Sequence, residues 1–103
     1  MQNLTLLIPA KYESESLPTV LQELKKFNYK KFIILKENDL ATINSIKEFN
    51  VEIIYQKGFG YGNALIEGIN NCRTKFFCIF NADGSFNPEE IQQIMKKIEI
   101  ENN

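Results

Sequence analysis

Strands and helices alternate four times along this chain, the strands are short and almost wholly apolar, and the turn-forming residues gather just after them. Those three observations predict an α/β protein of three layers, α/β/α, around a mainly parallel four-stranded sheet. Parallel neighbours need a crossover between them, and the helical segments supply it.

The first strand is Asn3 to Ile8, an apolar run closed by Pro9. Leu17, Val20, Leu21 and Leu24 then recur at the spacing of one helical face, with Ser16 and Pro18 as start signals. Lys31 to Leu35 reads as a second buried strand, and Asn38-Asp39 caps a helix carrying Ile43 and Ile46. Val51 to Tyr55 is the third strand. It is followed by the glycine-punctuated segment Lys57 to Gly62 and a helix from about Asn63 to Asn71. Phe76, Phe77, Ile79 and Phe80 make the fourth strand. Asn87-Pro88-Glu89-Glu90 has a cap residue, a proline at the first position and acids in the first turn, so it opens a last helix striped by Ile91, Ile94, Met95 and Ile98. Asn102 and Asn103 are expected to fray.

At 103 residues the chain is expected to be one domain, 1–103, with a single core. Hydrophobic residues are 44% and charged residues 24%, ordinary globular usage that points to neither disorder nor a membrane span. The apolar run near the start is far short of the ~20 residues that cross a bilayer, and no basic segment precedes it. A cytoplasmic location is therefore expected. The formal net charge is −1, with Lys and Arg spread along the chain, which argues against nucleic acid as a partner. There is no His, so the commonest zinc ligand and neutral-pH base is missing. Cys72 and Cys78 read as buried free thiols.

In such sheets ligands bind beyond the carboxyl ends of the strands, where the strand order reverses. Four loops share that rim: Pro9 to Ser16, Lys36 to Asp39, Lys57 to Gly62 and Asn81 to Asn87. Gly58, Gly60 and Gly62 precede a helix, an arrangement that allows close backbone approach and offers amide N–H groups to an anion, or that simply builds a loop. It is not the dinucleotide fingerprint, because Asn63 stands where the third glycine belongs, and no Gly-Lys-Ser or Gly-Lys-Thr makes it a P-loop. Asp83 and Ser85 can present oxygen ligands to Mg²⁺ or Mn²⁺, although a tight turn uses the same residue types. Glu13, Glu15 and Glu37 are either helix-start acids or site residues.

Three motifs carry a resemblance. Ile8-Pro9-Ala10 with Glu13, Glu15 and Leu17-Pro18 resembles the "IPA-x-N-E-x-E-x-L-P" opening of family 2 glycosyltransferases with the GT-A fold. Gln56 to Leu65, with Gly68 after it, is similar to the "Q-x-G-x-G-x-G-x-A-L-x-x-G" segment of the branch near the dolichyl- and polyprenyl-phosphate sugar synthases. Asn81 to Glu90 resembles their "D-A-D-G-S-x-x-P-E-E". The resemblance covers the whole chain and implies the N-terminal half of a truncated, Rossmann-like GT-A fold that binds a nucleotide-diphosphosugar, a UDP- or GDP-sugar, for transfer to an acceptor. By the same resemblance Pro9, Ala10 and Glu13 border the base and ribose, and Glu37 stands where the family has an acid near the base. Lys57, Gly58 and Gly60 lie along the nucleotide. Asp83 matches the second acid of the D-x-D motif that holds Mg²⁺ or Mn²⁺ on the diphosphate, assisted by Ser85.

Asn81 replaces the first acid of that motif, which keeps an oxygen but drops a charge and lowers the expected metal affinity. Lys36-Glu37-Asn38-Asp39 lacks the family's usual "D-D-G-S" text. No residue is assigned as catalytic base. A second reading is therefore a non-catalytic nucleotide-binding or interaction module that kept the fold. A nucleotidyltransferase is disfavoured, since Pro9-Ala10-Lys11-Tyr12 holds no glycine. The strand within 75–80 is expected to form a bare apolar edge and to bring copies of the chain together.

Overall fold

The structure is a computed structural model that describes residues 3–85 and 87–101, the last of these without the side chains at 94 and 98–101. The side chains of Ile94 and Ile98, and Asn102 and Asn103, fall outside that description. The elements run β1 (Leu4–Pro9), α1 (Leu17–Leu24), β2 (Lys30–Leu35), α2 (Leu40–Ser45), β3 (Glu52–Tyr55), α3 (Tyr61–Asn71), β4 (Phe76–Ile79) and α4 (Glu89–Glu101). The sheet order is β3-β2-β1-β4, and every neighbouring pair is parallel. The chain thus moves from β1 through β2 to β3 on one side and then sets β4 on the other side of β1. The strand order reverses between β1 and β4, where α/β sheets open a crevice.

Period-two alternation decides which helix covers which face. Leu4, Leu6 and Ile8 of β1 join Ile33 and Leu35 of β2 in one cluster with Leu17, Val20, Leu21 and Leu24 of α1 and Ile91 and Met95 of α4. Leu7, Phe32 and Ile34 point the other way, against Ala64 of α3. Helix α3 lies so close that a Cβ at Gly68 would meet Ile34 Cδ1 at 3.0 Å and Leu7 Cδ2 at 3.4 Å, which accounts for the small residue there.

Element ends differ from the expectation by a residue or two, β2 starting at Lys30, β3 at Glu52 and β4 ending at Ile79. Pro9 ends β1 as a paired residue opposite Ile34, and the next amide, of Ala10, donates to the Ile34 carbonyl. Helix α3 starts at Tyr61 because the amide of Ala64 reaches back to the Gly60 carbonyl. Ser16 occupies the N-cap position of α1 but makes no capping bond. A missing cap costs about 1 kcal/mol, whereas each buried Leu or Val of α1 contributes roughly 1.5–3 kcal/mol, so packing rather than capping holds this helix. At α4 the cap is formed as expected: Asn87 Oδ1 accepts from the Glu89 amide at 3.0 Å.

Cys72 and Cys78 are free, and both are half-buried rather than buried. No described helix is long and apolar enough to cross a membrane.

Candidate functional site

A cavity of about 620 Å³ opens where the strand order reverses, lined by residues from all four rim loops. Its walls include Pro9 to Glu13 after β1, Lys36, Asn38 and Asp39 after β2, Phe59 to Tyr61 before α3, and Asn81 to Asp83 after β4. Ile34 and Ala64 contribute apolar floor.

Each loop is tied to the next by a hydrogen bond. Asp39 caps α2, its side chain accepting from the Thr42 amide, and its other oxygen accepts from the amide of Tyr12 at 2.9 Å. The Glu13 amide donates to Thr42 Oγ1 at 3.1 Å. Asp39 and Thr42 are buried, so the first loop is latched onto the start of α2 through groups shielded from water. The latch holds Tyr12 at φ +56°, a left-handed conformation that non-glycine residues rarely adopt. On the opposite wall the Ser16 hydroxyl bonds the Ala82 carbonyl at 2.7 Å and also reaches the Glu13 carboxylate. The hydroxyl that does not cap α1 therefore joins the first loop to the fourth.

The second and third loops meet through Lys36, whose ammonium donates to the Gly58 carbonyl and lies 3.8 Å from the centre of the Phe59 ring. Gln56 Nε2 donates to the Gly60 carbonyl at 3.0 Å and to Asn63 Oδ1 at 2.9 Å. The third and fourth loops are bridged by the Tyr61 hydroxyl, which donates to Asn81 Oδ1 at 3.1 Å. The ring is closed, and the cavity is shaped before any ligand arrives.

Among the residues expected to form a site, Pro9, Ala10, Glu13, Gly60, Asn81 and Asp83 line this cavity together. Glu37, Lys57, Gly58 and Ser85 do not line it. Glu37 and Lys57 are exposed. The amides of Lys57 and Gly58 both donate to the Glu67 carboxylate, at 2.9 Å each, so an acid of the chain occupies those two N–H groups. A Cβ at Gly58 would come within 2.4 Å of the Asn63 side-chain amide, which would have to shift and give up its bond from Gln56.

These amide bonds, that of Lys57 first and that of Gly58 second, hold the Glu67 carboxyl below its ordinary value. A depressed carboxyl stabilises the fold above its unfolded value of 4.5, and that contribution is lost as pH falls through the lower folded value. Glu67→Gln should therefore have a lower urea midpoint than the parent near neutral pH, with the gap closing as the pH drops below about 4.5. Urea titrations at several pH values check this; a gap independent of pH would contradict it.

Several residues of the cavity were not legible as site residues, among them Asp39, Tyr12, Phe59 and Tyr61. Asp39 read only as a cap, and nothing in its neighbourhood signals the bond to Tyr12. Tyr12, Phe59 and Tyr61 are aromatic side chains left 77%, 85% and 56% exposed around the cavity. Their signal was aromatic residues beside or between glycines and loops, a weak one without the fold.

The residues present do not form a metal centre by themselves. Among the described residues no group of three or more His, Cys, Asp or Glu could hold a metal ion. The Asn81 oxygen already accepts from Tyr61, and Asp83 Oδ1 accepts from the Ser85 amide at 2.9 Å. The Ser85 hydroxyl and amide, in that order, lower the Asp83 carboxyl below its usual range. The Mg²⁺ or Mn²⁺ expected here thus meets one carboxylate.

A family model described as glycosyl transferase family 2 matches residues 5–103. The chain is also similar to "Uncharacterized protein MJ1222" of Methanocaldococcus jannaschii, 26% identical over 99 residues that make up 91% of this chain and 41% of that protein. It therefore spans about two-fifths of the length of that curated relative. No solved structure matches it.

Proposed function

The chain belongs to glycosyl transferase family 2, and from that premise we propose that it is the donor-binding half of a glycosyltransferase, its cavity holding a nucleotide-diphosphosugar. The observation that supports this most is the closed ring of loops around a cavity of about 620 Å³ at the reversal of strand order, within the range of small-ligand pockets. Exposed aromatic faces of Tyr12, Phe59 and Tyr61 suit a planar base, and polar groups at Asn81 and Lys36 suit the charged part of the donor.

In sugar transfer the bond from the anomeric carbon to the diphosphate oxygen breaks while the acceptor oxygen bonds that carbon, and negative charge grows on the departing nucleoside diphosphate. Fixed donors aimed at that charge lower the barrier. The part of this chain is to hold and orient the donor, and no acid here is assigned as the base. Within the family we place the chain near the dolichyl- and polyprenyl-phosphate sugar synthases, on the text of Gln56 to Gly68 and Asn81 to Glu90.

Calorimetric titration of the chain with UDP and with GDP, in buffer containing Mn²⁺ and in buffer containing EDTA, tests the donor site. Binding of either nucleotide in either buffer is expected, and silence in all four titrations of a folded sample would contradict it. The alternative of a non-catalytic binding module is favoured by Asn81, whose oxygen is already taken. Release of UDP from a UDP-sugar that binds would set that alternative aside.

A second copy is the partner we propose for the sheet edge. Among the described residues β4 pairs with β1 alone, so its outer N–H and C=O groups have no strand beside them, and Phe77 on it is 45% exposed. Such an edge templates pairing with another chain. The mass found by sedimentation equilibrium should rise with concentration and fall back in Phe77→Lys; a constant monomer mass would contradict edge pairing.

A further inference from the structure

We propose that Lys36, together with Lys11, supplies the positive charge that holds the donor's diphosphate, so that this site binds a nucleoside diphosphate without a divalent cation. The proposal rests on the donor-site reading and deepens it.

The acids of the cavity are partly committed. Both oxygens of Asp39 are engaged by the amides of Tyr12 and Thr42, one oxygen of Glu13 shares the Ser16 O–H with the Ala82 carbonyl, and one oxygen of Asp83 accepts from the Ser85 amide. Asn81, where a second acid would help to hold a cation, is neutral and its oxygen serves Tyr61. A cation bridging protein and diphosphate would find only Asp83 and Glu13 as partly free carboxylates in the cavity. Mg²⁺ held that way would rest chiefly on the substrate phosphates and its own waters, with no cluster of three acids among the described residues to hold it alone.

The cavity's two ammonium groups are the reverse. Lys11 and Lys36 both line it, and the ion pairs of the described residues, Lys26–Glu89 and Lys30–Glu52, involve neither. The carboxylate that feels Lys36 is Glu67, and Glu67 is spent on the amides of Lys57 and Gly58. Lys36 gives one N–H to the Gly58 carbonyl, which leaves two of its three donors. The residue is half-buried at the cavity wall, and its ammonium rests on the Phe59 face, 3.8 Å from the ring centre, so two contacts position it. A positioned cation with spare N–H donors is what a phosphate oxygen binds in charge-assisted fashion. Lys11 is exposed and adds a second charge to the cavity lining.

The test is calorimetric titration of the full chain with UDP and GDP in EDTA, repeated with Mn²⁺, on the parent and on Lys36→Met, Lys36→Arg and Lys11→Met. Expected is binding in EDTA within about threefold of that with Mn²⁺, weakened tenfold or more by Lys36→Met, the loss of one charge-assisted contact. Lys36→Arg should keep most of the affinity, and Lys11→Met should weaken it less than Lys36→Met. If Lys36→Met unfolds, Lys11→Met and the salt dependence of the parent decide, since binding through ammonium groups weakens as salt rises. Binding that requires Mn²⁺, or that Lys36→Met and Lys11→Met leave unchanged, overturns the proposal while the donor site stands. No binding in either buffer overturns both.

Discussion

Asp39→Ala should melt on the order of 10 °C below the parent and lose nucleotide binding. The substitution removes the acceptor for two backbone N–H groups, those of Tyr12 and Thr42, at a side chain 6% exposed. Losing a helix cap costs about 1 kcal/mol, and leaving the part-buried Tyr12 N–H without its acceptor costs about 1 kcal/mol more. The sum, about 2 kcal/mol, corresponds in a domain of this size to a shift on that order. The second consequence is local. Tyr12 keeps its φ of +56° only while its amide is held, so the loop is expected to relax and the cavity wall to move. Asp39→Asn, which keeps one acceptor and adds an N–H pair facing an N–H, should fall between the two. Thermal melts followed by circular dichroism check the ranking; Asp39→Ala melting with the parent would show that the latch carries no weight.

Gly60→Ala is the other large effect, and its cause lies in the backbone alone. Gly60 caps α3 at φ +92°, ψ 164°, a region open essentially to glycine, and forcing another residue there costs about 1–3 kcal/mol. No atom lies within 4 Å of a Cβ at this position, so crowding plays no part. Gly62 provides the contrast. It is equally open but lies inside α3, where alanine is preferred over glycine by up to about 1 kcal/mol. Opposite signs are therefore expected from the same chemical change two residues apart: Gly60→Ala destabilises and disturbs Phe59 and Tyr61 at the cavity, while Gly62→Ala stabilises. Equal urea midpoints for the two variants would contradict the conformational explanation.

Most of the architecture was legible because burial leaves a periodic trace. Leu17, Val20, Leu21 and Leu24 marked α1 by spacing alone, and all four are buried. The all-parallel sheet followed from the alternation of elements, and the reversal between β1 and β4 places Pro9 to Glu13 beside Asn81 to Asp83, as the strand-end rule requires. What spacing cannot show is how side chains are used. Ser16 has the residue type and place of a cap yet bonds Ala82 across the sheet, because the fourth loop arrives within reach only in the folded chain. Glu67 carries nothing in its local text to show that it holds the glycine loop ten residues earlier. Lys36 read as an anonymous loop residue, and its meaning depends on Phe59 and Gly58, more than twenty positions away. Long-range polar contacts have no period, and for that reason the lining of the candidate site was less legible than the fold.

The claim that the cavity at the strand-order reversal is the donor site is tested most directly by a ¹H–¹⁵N NMR titration of the chain with UDP and GDP. Shift changes concentrated at the amides of residues 10–13, 36–39, 59–64 and 81–84, saturating with nucleotide and absent from β3 and the outer face of α1, are expected. A saturable response centred elsewhere, or none in a sample with the dispersed spectrum of a folded protein, would contradict it.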